Sequence, residues 1–566
     1  MTLVINLRET ISIIYLRLIS HTWNSDTATR RLMKYKSIFF LNFLFFSLGL
    51  MAQDTQRWNS GGKLNPLQAN MDIRHYTLSL NVDIPNQTIN GFVETDLILA
   101  HPADTILFDL IDRFEVKKVT VEKQVVNFTR KEDKIFITAG KPFNEGKHNV
   151  RIEYGGKPPI AARPPWNGGF TWTADKNGKP WVVINCQSDG AKVYFPCKDH
   201  PSDEPNDGVD LFVTVPKGLT VAAFGLLQGT RTKGNRTTFH WKTNYTISNY
   251  CILFNIADYQ LVSRPYKTIL GHTVPMDYYI LRQDAAKAQS VLDIRERDTR
   301  ILEGYFGEYP WVKEKIGIAQ VPNSGMEHQT MITYGDPFNF QRFGGQHYSA
   351  NLFHEFAHEW WANKVTNKDW AHMWIQEGIA TYSEALCFRE LTGEKGYDSL
   401  LILFKNRIEN IKPVVQGEEV NSQDTYTRDI YFKGALFMNT LRYVLGDDVF
   451  FPTLKKLATD PKYTYDNFVT TDDVEKLFSE ASKINLKPLF DFYLRTTNLL
   501  EITIKQMGLT SWVVQAEQIP MTLPIEISGS NGITKVQLTN QPVNIESLTL
   551  PVVDPGSHYL KRVIIE

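Results

Sequence analysis

The stretch His354-Glu355-Phe356-Ala357-His358, with Glu377 further along the chain, decides how this sequence is interpreted. Residues four apart on a helix lie on one face, so His354 and His358 can direct both imidazoles at one ion. Glu355 stands beside the first histidine and can act as a base on a water at that ion. Catalytic zinc takes three protein ligands and keeps an open fourth position. The pattern therefore predicts a zinc site, with Glu377 as the third ligand.

The sequence around the pentapeptide predicts the two helices that such a site needs. One helix is predicted over 349–365, where the apolar face is formed by Leu352, Phe353, Phe356, Trp360 and Trp361. A second is predicted over 374–389, with Glu377 near its start. Packing of the two helices would bring Glu377 to the histidines. The alternative is that the histidines are satisfied core residues and Glu377 is an acid at a helix N-terminus.

Two further segments extend the pattern. The sequence resembles the M1 family of zinc aminopeptidases, whose zinc motif matches His354, Glu355, His358 and Glu377. Upstream, Ser324-Gly325-Met326-Glu327-His328 resembles the family's Gly-Ala-Met-Glu-Asn exopeptidase motif. Downstream, Ile430-Tyr431-Phe432-Lys433-Gly434-Ala435 resembles the segment that carries the family's catalytic tyrosine. The resemblance runs from about residue 71 to residue 500. It implies a zinc aminopeptidase that removes the N-terminal residue from peptides by means of a zinc-activated water.

The resemblance also implies roles for single residues. Glu355 is the expected general base, and Tyr431 is the expected donor to the oxyanion. Glu327 is expected to hold the free α-ammonium of the substrate. The other expected substrate-binding residues are Gly325 and Met326 of the same motif, Gln187 from the N-terminal part, and Tyr426, which resembles a second tyrosine of some relatives.

Three departures from the family motifs concern the substrate side. Ser324 stands where the motif has its first Gly, His328 stands where it has Asn, and Gln376 stands where Asn usually precedes the zinc glutamate. His328 could pair with Glu327 and weaken amine capture when the imidazole becomes charged. Alternatively, it makes the structural hydrogen bonds of the Asn that it replaces.

Other functions stay open at this point. A zinc endopeptidase, or an M1 relative with another hydrolase activity such as epoxide hydrolysis, would share the zinc motif. Glu327 and Gln187 favour exopeptidase work, because an aminopeptidase needs a fixed partner for the free amine. A non-catalytic binding scaffold is a further alternative, against which the intact zinc motif argues.

Composition limits the class of protein. The 566 residues predict several domains, and a hydrophobic content of 42% with 22% charged residues is that of an ordinary globular protein. The formal net charge of -1 gives no basic surplus, so we expect no nucleic-acid partner. Peptide substrates with a free N-terminus are what the resemblance implies. No CxxC pair occurs among Cys186, Cys197, Cys251 and Cys387. We expect buried free thiols, with a Cys186–Cys197 disulfide as the alternative.

The first 52 residues predict a leader and signal peptide. Lys34 and Lys36 precede an apolar run over 37–50, and Ala52 offers a small residue for cleavage. The run is shorter than the ~20 residues that span a membrane. We therefore expect a secreted or periplasmic protein with no stable membrane span, and an uncleaved anchor is the alternative. Met33 is a possible true start of translation.

The fold class predicted is a multidomain α+β protein. Alternating apolar residues in 75–82 and 91–99 predict an N-terminal all-β domain over 53–263, of saddle or sandwich shape. Helical spacing recurs over 264–500, at 285–306, 349–365, 374–391, 397–411, 432–445 and 471–480, with short strands at 315–321 and 331–333. The resemblance implies that this domain is thermolysin-like. Alternation returns in a small C-terminal β domain over 501–566. Because the sequence ends at Glu566, before the helical domain of many M1 enzymes, we expect an open site.

Overall fold

The N-terminal part is built from strands, as predicted. The computed structural model describes residues 57–335 and 338–566. After the short helix α1 (Pro66–Ala69) it contains β1 (Met71–Asp83), β2 (Thr88–Leu99), β3 (Ala103–Asp109), β4 (Phe114–Val121), β5 (Gln124–Val125), β6 (Asn127–Lys131), β7 (Lys134–Phe143), β8 (Gly146–Gly156), β9 (Gly169–Ala174), β10 (Pro180–Asn185), β11 (Val209–Pro216), β12 (Thr220–Ala223), β13 (Leu226–Lys233), β14 (Arg236–Thr243) and β15 (Phe254–Ala257).

These strands form three sheets. The large sheet has the order β13-β14-β11-β1-β2-β8-β4-β5, and the two smaller sheets have the orders β12-β15-β10-β9 and β3-β7-β6. In β1 the residues Tyr76, Leu78, Leu80 and Val82 are buried and alternate with more exposed ones, which is the pattern of a strand with one face on the core. Strand β10 is buried throughout except at Pro180, and it leads directly to Gln187.

A further sheet and a group of helices follow these three sheets. The strands are β16 (Tyr259–Lys267), β17 (Thr273–Leu281), β18 (Ile316–Gln320), β19 (Ile332–Tyr334), β20 (Gln341–Phe343), β21 (Gln346–Tyr348), β22 (Thr366–Asn367) and β23 (Phe468–Val469). The helices are α2 (Ala288–Phe306), α3 (Ala350–Ala357), α4 (Trp374–Thr392), α5 (Glu394–Lys405), α6 (Ser422–Thr425), α7 (Phe432–Leu445), α8 (Asp447–Thr459), α9 (Thr471–Ser482) and α10 (Lys487–Leu494). Strands β16, β17, β18 and β19 form one sheet in that order, so β16 crosses the predicted boundary at residue 263.

The helix predicted over 349–365 is shorter in the structure. Helix α3 ends at Ala357, and the chain then turns. Ala362 has a φ of 146°, which no helical residue adopts, so the helix cannot continue to residue 365. Two buried polar side chains explain the turn. Glu359 accepts a hydrogen bond from Trp311 Nε1 at 2.7 Å, and Asn363 Nδ2 donates to the carbonyl oxygen of Glu327 at 2.8 Å. These tertiary contacts outweigh the helical spacing of the apolar residues.

Smaller differences concern the other helices. Helix α5 covers 394–405 and not 397–411, and the helices α8 and α10 were not predicted. Helix α9 begins at Thr471, as predicted, and ends at Ser482 rather than at residue 480. Thr470 is the N-cap, and it forms a reciprocal capping box with Asp473. Helix boundaries depend on which residue caps the end, and several adjacent polar residues can do so.

The chain ends in two small sheets, in agreement with the predicted C-terminal β domain. The strands are β24 (Leu500–Gln506), β25 (Ser511–Ala516), β26 (Leu523–Gly529), β27 (Gly532–Leu538), β28 (Val543–Glu546), β29 (Val552–Val553) and β30 (Lys561–Ile565). Their orders are β28-β25-β24-β30 and β27-β26-β29. A β-rich N-terminal domain, a mixed catalytic-type domain and C-terminal sheets confirm the predicted fold class.

The four cysteines are free, as predicted. All four thiols are buried, and the alternative Cys186–Cys197 disulfide is not formed. The predicted signal peptide and the possible start at Met33 lie outside the described residues. Among the described helices, none has the length and apolar content that a membrane span requires.

Candidate metal centre and peptide site

Two glycines set the distance between the helices that carry the site. A Cβ atom added to Gly378 of α4 would lie 2.9 Å from the Cα atom of Gly434 in α7, so only glycine permits this approach. Helix α3 also packs against α4. Glu377 in the first turn of α4 therefore faces α3, while the start of α7 holds Tyr431 beside the same point.

His354, His358 and Glu377 converge on one point, as the spacing predicted. The two Nε2 atoms lie 3.1 Å apart, and each lies 3.4 Å from Oε2 of Glu377. Ligand atoms at about 2.0–2.2 Å from a tetrahedral zinc ion are themselves about 3.3–3.6 Å apart. The triangle of ligand atoms thus fits a zinc ion, and histidine nitrogen with carboxylate oxygen is a ligand set that zinc favours.

Both histidines are oriented by partners on their other ring nitrogen. His354 Nδ1 lies 3.0 Å from Oε1 of Glu384, and His358 Nδ1 lies 2.7 Å from the carbonyl oxygen of Trp361. Such bonds place the proton on Nδ1 and leave Nε2 free to bind a metal. The turn that ends α3 early supplies the Trp361 carbonyl. It therefore has a direct role in the site.

The electrostatics of the centre favour a cation. Burial alone would raise the pKa of Glu377, but His358 and His354 outweigh burial and hold it at about 2. Burial would lower the pKa of His354, yet its bonds to Glu377 and Glu384 raise it well above the ordinary value. An anionic carboxylate held between two imidazoles needs compensating positive charge, which protons or a divalent ion can provide.

Glu355 lies beside the three ligand residues with an unusual pKa. Burial raises the pKa of this carboxyl to about 8. Asn351, one turn earlier on α3, donates from Nδ2 to Oε1 of Glu355 at 2.8 Å. A carboxyl whose pKa lies near neutrality can both take up and release a proton, as a general base and acid must. The cation that the centre fits would shift this pKa downward.

Glu327 forms a second acidic point, built from distant parts of the chain. Its Oε1 accepts hydrogen bonds from Gln187 Nε2 at 2.5 Å and from the Tyr250 hydroxyl at 3.1 Å. Ligand atoms of Glu327, Glu355 and His358 all lie within 4.8 Å of one another. Burial raises the pKa of Glu327, so the site favours neutralisation of this carboxylate by a proton or a cationic group.

Gly325 and Met326 lie at the edge of β19. The amide of Thr333 donates to the carbonyl oxygen of Met326 at 2.9 Å. The amide of Gly325 donates to Asn351 Oδ1 at 3.2 Å, and a Cβ atom at Gly325 would lie only 2.9 Å from Cγ of Glu355. A side chain at this position would therefore displace the proposed base.

The two tyrosines predicted for the site form a pair. The hydroxyls of Tyr426 and Tyr431 are hydrogen-bonded, and the Tyr431 ring lies 6.0 Å from the imidazole of His354. Burial raises the pKa of both phenols well above the ordinary value, so both remain protonated donors at neutral pH. A protonated phenol beside the metal point is what an oxyanion donor requires.

His328 behaves in neither of the two ways considered from sequence. Its side chain is fully buried, and neither ring nitrogen has a hydrogen-bond partner among the described residues. Burial lowers its pKa to about 3, so the imidazole is neutral. It does not pair with Glu327, and it does not make the hydrogen bonds expected of an Asn. The bonds of Glu327 Oε1 come from Gln187 and Tyr250 instead.

Sequence reasoning missed several residues of the site. Glu384 follows Glu377 by two helical turns, so the periodicity of α4 could have identified it. Asn351 could have been found in the same way, one turn before Glu355. Tyr250 and the buried Glu359 carry no local signal, because their contacts join segments that lie far apart in the chain.

The comparison with protein families is decisive. The model of the Peptidase M1 N-terminal domain matches residues 73–251, and that of the Peptidase family M1 domain matches residues 291–493. The chain belongs to the M1 peptidase family. The resemblance inferred from the motifs is thereby confirmed.

Individual members of the family are distant relatives. Endoplasmic reticulum aminopeptidase 1 of Homo sapiens is 23% identical over 409 residues, which cover 66% of this chain and 42% of the human protein. Leucine aminopeptidase 2 of Candida glabrata is 24% identical over 439 residues, which cover 73% of this chain and 64% of that protein. The chain spans about half the length of the curated relatives it matches.

A solved structure shares the fold. The M1 zinc metallopeptidase from Deinococcus radiodurans, bound to a Tyr-Ser-Ala substrate, has a TM-score of 0.63 at 23% identity. The superposition covers 78% of this chain and 96% of the other. The common architecture of this M1 chain and that peptidase is thus established by the comparison.

Proposed function

We propose that this M1 family member is a zinc-dependent aminopeptidase that hydrolyses the N-terminal residue from peptides. One observation carries the proposal. The buried carboxylate of Glu327 stands within 4.8 Å of Glu355 and His358, at the end of the site closed by Gln187 and Tyr250. An acid fixed at about the length of one substrate residue from the zinc ligands and Glu355 can bind the free α-ammonium of a peptide. The names of the curated relatives also support the proposal.

Each residue contributes a separate step to the proposed reaction. His354, His358 and Glu377 would hold the zinc ion, which when bound supplies Lewis-acid polarisation of a carbonyl and a water of lowered pKa. Glu355 accepts the proton of the attacking water and returns it to the leaving amine. Tyr431 donates its phenolic hydrogen to the oxygen that becomes negative.

The amine end of the substrate is positioned by the other acid. The carboxylate of Glu327 pairs with the α-ammonium, and Gln187 adds a neutral hydrogen-bonding group next to it. Glu327, Gln187 and Tyr250 are all buried. A peptide chain that continued past the amine in this direction would therefore have to displace them. This argues for exopeptidase rather than endopeptidase work.

The experiment compares two substrates, with and without a metal chelator, on the same purified protein. An aminoacyl-naphthylamide should be cleaved, its N-acetylated counterpart should not, and a metal chelator should abolish the cleavage, which added zinc restores. Cleavage of N-acetylated peptides at internal bonds would favour the endopeptidase. A protein that holds no zinc and cleaves neither substrate would favour the binding scaffold.

We also propose that the protein is secreted or periplasmic. The support is the order of Lys34 and Lys36, the apolar run over 37–50 and Ala52 in the sequence. Expression of the full chain with cell fractionation and N-terminal sequencing tests this. Export with a new N-terminus near residue 53 is expected, and a protein that stays with the membrane at full length would indicate an anchor instead.

A further inference from the structure

A cavity of about 360 Å³ lies directly beside the proposed catalytic residues. Tyr431 and Tyr426 form one part of its wall, and Ser188 forms another. Ser188 follows Gln187, the residue that holds Glu327 from the β domain. The cavity therefore adjoins Tyr431, the proposed oxyanion donor, and the segment whose Gln187 bonds to Glu327. The side chain of the first substrate residue starts between the α-ammonium and the carbonyl group.

The charged side chains that line this cavity are all positive. Arg57, Arg163 and Arg428 line it, whereas no Asp or Glu does so within the described part of the chain. The whole sequence, by contrast, has a formal net charge of -1. Three guanidinium groups around one cavity attract an anion and repel a cation.

Arg163 and Arg428 are only weakly engaged by the protein itself, whereas Arg57 interacts electrostatically with the buried Asp189. Arg163 lies over the ring of Trp166 at 5.0 Å and has no carboxylate partner among the described residues. Arg428 lies 3.5 Å from Glu409, and both side chains of that pair are largely exposed, so the pair is weak. A guanidinium group in this state keeps its donors for a carboxylate, which it can bind through two parallel hydrogen bonds.

We propose that this cavity receives the side chain of the substrate's N-terminal residue and selects an acidic one, aspartate or glutamate. The inference rests on the proposed aminopeptidase function and adds the substrate class to it. The recognised chemistry is a carboxylate. The C-terminal carboxylate of a very short peptide has the same chemistry, and the experiment separates the two sources.

The first arm uses aminoacyl-methylcoumarylamides, which have no C-terminal carboxylate. The kcat/KM ratio of the glutamyl to the glutaminyl substrate isolates the charge, since the two side chains have the same shape. We expect a ratio of about fivefold, as for ion pairs in contact with water. Because exposed pairs are screened, the ratio should fall as salt rises from 0.05 to about 0.5 M.

Variants of the cavity arginines test whether the preference for the glutamyl substrate arises in this cavity. Arg163→Gln and the double variant Arg57→Gln/Arg163→Gln should bring the ratio towards one. Arg231→Gln is the matched control, because Arg231 lies on the exposed edge strand β13 and does not line the cavity. It should leave the ratio unchanged. Thermal unfolding of each variant checks that the fold is retained.

The second arm compares alanyl dipeptides with a free or an amidated C-terminus. If only the free C-terminus gives a salt-sensitive gain that Arg163→Gln removes, the side-chain assignment is overturned. It is also overturned if alanyl substrates are cleaved but the glutamyl and glutaminyl substrates are equal. If no aminoacyl substrate is cleaved by the zinc-loaded protein, the proposed function itself fails, which is a different result.

Discussion

Two parts of the site are built in opposite ways: the metal point, formed by His354, His358 and Glu377, and the proposed amine point, formed by Glu327. His354 and His358 lie four residues apart, and His354 meets Glu384 across a separation of 30 residues. Glu327, by contrast, bonds to Gln187 across 140 residues and to Tyr250 across 77. The metal point is thus a property of two adjacent helices. The amine point exists only when the β domain packs against the catalytic-type domain.

The two points also differ in charge. The imidazoles hold the pKa of Glu377 at about 2 despite its burial, whereas burial raises the pKa of Glu327. Glu377 therefore lies between two imidazoles that stabilise its charged form, whereas Glu327 accepts hydrogen bonds from the neutral Gln187 and Tyr250. The difference supports the proposal that the α-ammonium of the substrate binds at Glu327.

The largest expected effect is on the chemical step at the metal point. Glu355→Gln should reduce kcat by about 10²–10⁴, because the amide cannot accept the proton of water. Zinc content, measured by elemental analysis, should stay the same, since Glu355 is not in the proposed ligand set. Near-normal turnover by this variant would remove Glu355 from the mechanism.

The tyrosine pair provides the next test. Tyr431→Phe should reduce kcat by about 10²–10³ through the loss of one oxyanion donor, with little change in KM. Tyr426→Phe is the matched control, because it keeps the phenol of Tyr431 and removes only the hydroxyl that is bonded to it. Its effect should be clearly smaller. Equal losses in the two variants would contradict the assignment of the donor role to Tyr431.

The amine point should affect binding more than chemistry. Glu327→Gln should raise KM for free-amine substrates by about 10–100-fold, the range for loss of a hydrogen bond to a charged group. The measurement is steady-state kinetics on aminoacyl-naphthylamides. An unchanged KM, with a loss confined to kcat, would show that Glu327 does not hold the ammonium.

The orientation of His354 can be tested through metal affinity. Glu384→Ala should weaken zinc binding by about 10–100-fold, because Nδ1 of His354 loses its partner. Titration against a competing chelator measures this affinity. Glu390→Ala is the matched control, since Glu390 lies on the same helix but bonds to Tyr305 away from the site. Equal affinities for both variants would contradict the role of Glu384.

The smallest effect concerns stability and involves His328, next to the amine point. Its pKa is about 3 in the fold and ~6.5 in the unfolded chain, so the unfolded state binds the proton more readily. Its contribution to stability is present above pH ~6.5 and is lost as pH falls towards 3. From pH 7 to pH 5 the loss is about 2 kcal/mol for this group.

Denaturant unfolding of the wild type and of His328→Asn at both pH values isolates this contribution. The free energy of unfolding should fall by about 2 kcal/mol more in the wild type than in the variant. Parallel pH profiles for the two proteins would mean that the imidazole is not held neutral. KM should show no pH dependence that His328→Asn removes, because His328 does not contact Glu327.

Much of the site could be predicted from the sequence, because helical geometry converts fixed spacings into fixed directions. The four-residue step from His354 to His358 places both rings on one side of α3. The extent of α3 could not be predicted. Its apolar residues continue at helical spacing beyond Ala357, and only the tertiary partners of Glu359 and Asn363 reveal the turn.

The sequence by itself determined the family, the fold class and the residues of the metal point, since these depend on short-range periodicity and on motifs. Only the tertiary structure decided how Glu327 is held, that His328 is buried without a partner, and that three arginines share one cavity. Those properties depend on contacts between segments that lie far apart in the chain, such as the 140 residues between Gln187 and Glu327. The energy of such contacts comes from burial and charge in the assembled fold, which no local pattern encodes.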